Sequence, residues 1–302
     1  MLDYAAAQAV AMVVRTGSFE GAARALSVTP SAISQRVRNL ENRVGAVLIE
    51  RGTPCRATET GVWLCRHLEQ VSLLEAGLRE HLPGLQRETA QAATISIATN
   101  ADSLGTWFLP ALTRFGTRSG CLVNVVVDDE DHTTDWLHSG RVTAAVTATA
   151  KPVQGCAVRP LGHLRYVATA SPEYLKRHFP AGVTAEALCR APALTFNLKD
   201  RLQHAWIAQV LGHGVNFPTH WLPSTHAFVD GAVAGLGWGL NPLMLVDAHL
   251  AAGRLIELVP GARLDRPLYW QINRISAPQL SDLTCAVVAA AREALVGGAD
   301  VA

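Results

Sequence analysis

Lysine is nearly missing from this chain of 302 residues: Lys151, Lys176 and Lys199 stand against 23 arginines. GC-rich coding produces such a bias, although arginine's planar fork also suits phosphate and guanine better than lysine's point charge does. Strong net charge is missing too, at +1 overall, which argues against a surface coated with nonspecific affinity for nucleic acid. No apolar run reaches the ~18 residues that a membrane-spanning helix needs. The opening MLDYAAAQAVAMVVRTGSF has no basic stretch ahead of its apolar one, so a cytoplasmic location is expected and no membrane partner. The six cysteines (55, 65, 121, 156, 189, 285) form no C-x-x-C pair and no His/Cys spacing fit for zinc. Reduced, mostly buried thiols are expected, with a redox-sensing pair as the alternative. A nucleophile elbow, a metal-ligand cluster and a glycine-rich cofactor loop are missing as well. The run GLGWG at Gly235 to Gly239 lacks the Lys-Ser/Thr of a phosphate loop and the preceding strand of a dinucleotide fingerprint. The chain is therefore not expected to be an enzyme, and no metal or cofactor is expected in it.

What is present begins at Ser18 to Leu40, SFEGAARALSVTPSAISQRVRNL, where two short amphipathic helices flank a tight polar connection. Phe19, Ala22, Ala23 and Leu26 recur at helical spacing behind Ser18, a suitable N-cap. Thr29 caps the second helix and Pro30 opens it, at a position that needs no amide donor. Ile33, Val37, Leu40 and Val44 form its packing stripe; Ser31, Ser34, Gln35 and Arg38 form another, flanked by Ala32, Arg36 and Arg43. Small residues at the start let such a helix approach a base-pair edge, while Gln35, Arg36 and Arg38 offer forked contacts to bases and phosphates. An ordinary hairpin with a solvated polar face shows the same pattern, so context has to decide. From Arg15 to Arg56 there are seven arginines against three glutamates, a net of +4, so the basic charge is concentrated in one compact module.

Around this pair, Leu2 to Val14 reads as a first helix, and VLIERGTPCRATETG reads as two short strands, a wing that would lay Arg51 and Arg56 along a DNA backbone. Thr58 caps a long helix through about Leu85, with Leu64, Leu68, Val71, Leu74, Leu78, Leu82 and Leu85 three or four residues apart. Such a seam wants a partner helix, and packing against the chain's own body is the alternative. Gln86 to Ala93 reads as a hinge. From Thr94 on, strand-like runs (TISIAT, CLVNVVVDD, VTAAVTA, LRYVATAS, ALTF) alternate with helical ones, including Leu104 to Arg118, and argue for mainly parallel α/β sheets. Ligands of such sheets sit beyond the strands' carboxyl ends, where Asn100, Ala101, Asp102, Ser103, Asp128 and Glu130 lie.

Taken together, GSFEGAARALSVTPSAISQRVRNLENRVGAVLIER and the parts that follow it resemble the LysR-type transcriptional regulators over the whole chain. The resemblance implies a winged helix-turn-helix head (1–57), a linker and dimerisation helix (58–88) and a periplasmic-binding-protein-like effector domain (92–302). That domain would hold two α/β subdomains, one of about 92–164 with 268–302, the other of about 165–267. In the effector half, NADSLGTWFLPAL, VDDEDHTTDWLHSG, AVT at Ala145 to Thr147 and PLYWQ look like the ArgP/LysG (IciA) branch, which senses basic amino acids and controls a lysine/arginine exporter. Members of that branch activate transcription as dimers or dimers of dimers on promoter DNA, their effector altering DNA bending and the contact with RNA polymerase. Glycines 235 to 239 then read as a packing turn.

The residue chemistry suits that ligand class. An amino acid with a cationic side chain needs donors at its carboxylate and acids at its two cations. Ser103 and the helix-start amides can supply the first, Asp102, Asp128 and Glu130 the second, and Trp107 a lid or cation-π surface. In the other subdomain Thr195, Phe196, Asn197, Ser224, Thr225 and His226 stand at strand-to-helix switches, and Thr147 ends a strand in the first. The acids also fit plain helix caps, and Trp107 a core position. L-Lysine and L-arginine are the first effectors to try, histidine next. A LysR-type regulator of a different small metabolite, an α/β enzyme with a helical appendage and a solute receptor are the competing functions.

Overall fold

In a computed structural model of the chain, residues 1–82, 92–129 and 132–298 are described. The hinge read at Gln86 to Ala93 falls outside them except for its last two residues, as do Leu85 and Glu130.

The head is built from α1 (Tyr4–Thr16), α2 (Phe19–Ala25) and α3 (Pro30–Val44), closed by β1 (Ile49–Glu50) paired antiparallel with β2 (Arg56–Ala57). The expected caps form: Ser18 Oγ accepts from the amide of Gly21 at 3.0 Å, and Thr29 Oγ1 from that of Ala32 at 3.2 Å. Ala6, Ala9, Val10 and Val13 of α1 meet Ala22 and Ala23 of α2 and Ile33, Val37 and Leu40 of α3 in one core. Val44, expected in that stripe, is 46% exposed, because α3 ends there at the left-handed Gly45 and the core beneath it has run out. Glu41 turns back to the wing, its Oε1 accepting from the amides of Leu48 (2.9 Å) and Ile49 (3.3 Å).

Thr58 caps the long helix α4 (Glu59–His81) through the amide of Gly61. A Cβ at Gly61 would stand 2.0 Å from the carbonyl oxygen of Leu48, so only glycine lets α4 leave the wing this closely. The leucine stripe of α4 divides. Leu64 and Leu68 cover the head core and Leu74, Leu78 and Leu82 are each about half exposed, while Leu73, outside the expected stripe, enters the core of the effector half.

The effector half is organised by two long antiparallel strands, β6 (Cys156–Ala170) and β11 (Arg263–Asn273), paired along their length with a register shift between Leu268 and Tyr269. Beyond the shift β11 pairs with β5 (Ala144–Thr147), which pairs parallel with β3 (Thr94–Thr99), itself parallel to β4 (Leu122–Val127). The other end of β6 carries β9 (Gly239–Pro242) and β10 (Ile256–Glu257), both antiparallel. A parallel pair, β7 (Ala193–Thr195) and β8 (Thr219–Trp221), joins through a bridge between Ala193 and Trp238. The sheet is thus mixed and not mainly parallel: the βα alternation gave the parallel pairs, but two strands that cross between both halves must run back against them.

The helix expected from Leu104 begins three residues earlier. Asn100 caps it, Oδ1 accepting from the amide of Ser103 at 3.1 Å, and a turn α5 (Ala101–Ser103) leads through a π-helical turn (Leu104–Phe108) into α6 (Leu109–Ser119). Pro110 lacks an amide, and its ring crowds the carbonyl four residues back, inside that wide turn. Trp206, Trp238 and Trp270 are fully buried in one hydrophobic core of the effector half, each side chain contributing roughly 3 kcal/mol by its transfer from water.

Candidate functional site

On the head, the packed stripe of α3 leaves the opposite face to solvent: Ser31, Gln35 and Arg38 are exposed, and Ala32, Ser34 and Arg36 partly so. Gln35 Nε2 donates to Asn39 Oδ1 at 3.1 Å, one turn on, which steadies the amide without burying it. Pro30 and Thr29 stand exposed at the start of the helix, and the Ser31 hydroxyl lies 3.0 Å from that of Thr29. Ser18 is spent on its cap. In the wing Arg51 and Arg56 are exposed, and the Arg51 guanidinium rides over the Phe19 ring at 5.3 Å. A rigid helix with a small, polar leading face, beside a cationic wing, has the shape and donors of a major-groove reader with a backbone clamp.

The second site is a cavity of about 120 Å³ between the two halves of the effector domain. The ends of β3 and β4 bring Asn100, Ala101, Asp102, Asp128 and Asp129 to one wall. The other takes Phe196 and Asp200 from the segment between β7 and α10 (Leu202–Leu211), with Arg201 and the first residue of α10, Leu202. Thr225 and Phe228 of α11 (Thr225–Val233), Tyr166 of β6, Asn241 of β9 and Arg266 of β11 complete it. Four carboxylates thus face two guanidiniums.

Each acid is held differently. Asp102 is half-buried, and both its oxygens are occupied from across the cleft: Tyr166 Oη donates to Oδ2 and Thr225 Oγ1 to Oδ1, each at 2.8 Å. Burial pushes its carboxyl above the ordinary carboxylate range, against the pull of those two hydroxyls. Asp200 is raised likewise by burial, although the amides of Phe196 (3.0 Å) and Leu202 (2.9 Å) donate to it. For Asp128 partial burial is outweighed by donors from Trp136 Nε1 (2.9 Å), the amide of Asp129 (2.8 Å) and Lys199 Nζ (3.1 Å), and its carboxyl lies below the ordinary range. Asn241 is buried; its Nδ2 donates to Thr169 Oγ1 at 2.9 Å, while its Oδ1 has no partner among the described residues. An acceptor left without a donor at a cavity wall is suited to an incoming N–H group.

Of the residues that the sequence singled out for this site, the structure brings Asn100, Ala101, Asp102, Asp128, Phe196 and Thr225 together. The others stand elsewhere. Trp107 is 2% exposed and packs edge-on against Phe108 at 5.4 Å, in the core and not as a lid, because the π-helical turn rotates it inward. Ser103 is buried behind its own helix start, and Thr147 is tied to Gln271 and to the carbonyl of Thr149 at the end of β5. Thr195 pairs with Thr219 across β7 and β8 (3.4 Å). Asn197 caps its own turn, accepting from the amides of Lys199 (2.7 Å) and Asp200 (3.1 Å). Ser224 is the N-cap of α11, and His226 is exposed, its ring above Gly105. Tyr166, Asp200, Arg201, Asn241 and Arg266 had not been singled out; only Asp200, placed ahead of α10, carried a local signal.

The glycines of GLGWG pack, as read: a Cβ at Gly239 would meet the Phe228 ring at 2.4 Å, and one at Gly237 the Leu194 side chain at 2.8 Å. Among the described residues, no group of three or more His, Cys, Asp or Glu is placed to hold a metal ion, and no helix is long and apolar enough to cross a membrane.

Two family patterns match the chain: "Bacterial regulatory helix-turn-helix protein, lysR family" over residues 5–62, and "LysR substrate binding domain" over residues 89–292. The HTH-type transcriptional regulator ArgP of Pseudomonas aeruginosa is 41% identical over 296 residues, 98% of each chain. The C-terminal domains of a LysR family protein from Agrobacterium tumefaciens are 62% identical, covering 68% of this chain and 99% of theirs, with a TM-score of 0.67. Full-length LysG from Corynebacterium glutamicum, solved with bound effector Arg, is 37% identical over 98% of this chain and 100% of its own, with a TM-score of 0.68.

Proposed function

The chain belongs to the LysR family of DNA-binding transcriptional regulators, and from that premise we propose that it senses a basic amino acid, arginine or lysine, in the cavity between the halves of its effector domain. A regulator of this family is not an enzyme: its chemistry is recognition of DNA at one end and of a small molecule at the other. The observation that carries the proposal is the acid-rich lining of the cavity, four aspartates against Arg201 and Arg266. An amino acid with a cationic side chain brings two cations and one carboxylate. Its ammonium and side-chain cation offset the acids, and its carboxylate faces the guanidiniums. The arginine bound to the LysG of Corynebacterium glutamicum supports the ligand class.

The same reading assigns the parts. Residues 1–57 read promoter DNA through Ser31, Ser34, Gln35, Arg36 and Arg38, and grip its backbone through Arg51 and Arg56. The linker region, 58–88, joins two copies of the chain through Leu74, Leu78 and Leu82, and 92–302 reports the effector, closing differently around it. Two dimers join on the promoter, and the effector changes how the assembly bends DNA and meets RNA polymerase, in the cytoplasm, at the gene of a basic amino acid exporter.

Calorimetric titration with arginine, lysine, histidine and glutamate tests this. Arginine or lysine should bind, glutamate should not, and Asp102→Asn should weaken the cationic ligand at least about tenfold, the equivalent of ~1.4 kcal/mol, while promoter binding without ligand persists. Absence of heat with every basic amino acid would sink the ligand assignment.

A further inference from the structure

Lys199 is one of only three lysines in the chain, and its ammonium lies 3.1 Å from Asp128 Oδ1. The pair crosses the cleft: Asp128 follows β4 in the first half, and Lys199 follows β7 in the second. Asp128 lines the cavity while Lys199 is 47% exposed, so the pair stands at its rim. Asp128 does not need the lysine to hold its position, because Trp136 Nε1 and the amide of Asp129 fix the carboxylate from the first half. The backbone of Lys199 does not need Asp128 either, since Asn197 Oδ1 accepts from its amide at 2.7 Å. Both ends stay in place when the bond opens, and only a flexible four-carbon stem has to swing away.

We propose that Lys199 is a specificity-determining residue, a tethered cation that occupies Asp128 until the side-chain cation of a basic amino acid replaces it. This rests on the basic amino acid reading of the cavity. A ligand with a neutral side chain leaves the Lys199–Asp128 bond intact. A ligand with its own cation takes over the acid and exchanges one ion pair for another. The bond that opens joins the two halves of the domain beside the hydrogen bonds of Asp102 to Tyr166 and Thr225, so the choice of ligand carries with it a loosening of the cleft at its rim. A neutral amino acid can occupy the cavity without causing it.

Titration of the full chain with arginine and with citrulline, arginine's uncharged counterpart, tests the proposal on wild type, Lys199→Met, Asp128→Asn and the double variant. Removing the competitor should tighten arginine about fivefold, the scale of one partly exposed ion pair, and leave citrulline unchanged. In the Asp128→Asn background, Lys199→Met should have no effect on arginine. Weaker or unchanged arginine binding by Lys199→Met, or an equal gain for citrulline, would overturn the proposal while leaving the ligand assignment standing. If wild type and Lys199→Met both bind promoter DNA but neither binds arginine, the ligand assignment itself falls and takes the competitor with it.

Discussion

Gln35 and Arg36 stand on the open side of α3, where each can present a fork to a base edge, whereas Arg51 sits in the wing with its guanidinium parked over Phe19. Gln35→Ala or Arg36→Ala should therefore cost ~1 to 3 kcal/mol on the specific promoter and relax base preference, while Arg51→Ala should weaken specific and random DNA alike. Gel shifts on both DNAs separate the roles, and equal losses for all three variants would contradict them. At the other site the informative residue is Asp102, whose carboxyl is raised by burial. A cation arriving beside it favours the ionised form, so ligand binding should expel a proton and tighten as pH rises through the unliganded pKa. Calorimetry in buffers of different ionisation enthalpy measures the proton; uptake instead of release would remove Asp102 from contact with the cation.

Among the elements, α4 does the most varied work. Its first turns cover the head core, Leu73 enters the core of the effector half, and Glu69 reaches β3, accepting from Ser96 Oγ at 3.2 Å. Ser96 in turn accepts from Asn124 Nδ2 of β4 at 3.3 Å. Desolvation raises the Glu69 carboxyl from 4.5 to about 7, against the hydrogen bond from Ser96. The folded chain therefore holds this proton more tightly than the unfolded one, and the stability it contributes is present below pH 4.5 and lost as pH rises through 7. The loss amounts to up to ~3 kcal/mol. Glu69→Gln keeps a side chain for Ser96 without the charge, so it should melt near wild type at pH 5 and above wild type at pH 8. Parallel melting profiles for the two proteins would show that the carboxyl stays ionised. The stripe of α4 was legible from leucine spacing, but its division between head and solvent was not, nor was the burial of Leu73 beside it, because periodicity marks an apolar face without naming what covers it.

At the scale of the molecule, the half-exposed turn-by-turn series Leu74, Leu78 and Leu82 is the surface that the proposed function assigns to a second copy of the chain. Leu74→Glu with Leu78→Glu should leave both cores intact, yield monomers in sedimentation, and cost about 100-fold or more in promoter affinity, since two linked heads bind with a high effective concentration. A double variant that stays dimeric would move the interface elsewhere. By itself the sequence determined the head almost completely, because caps, a proline at the first helical position and an apolar period all act within a few residues of one another. It also marked Asp102 and Asp128, since acids just past a strand are visible locally. Only the tertiary structure decided which of these share a cavity. Asp102 meets Tyr166 and Thr225 from 64 and 123 residues away, and Lys199 meets Asp128 across 71. It placed Trp107 in the core through a π-helical turn, and it brought Asp200, Asn241 and Arg266 to the cavity. The physical reason is that a binding site between two halves is set by how two long strands, β6 and β11, pair and shift register, and no local pattern carries that information.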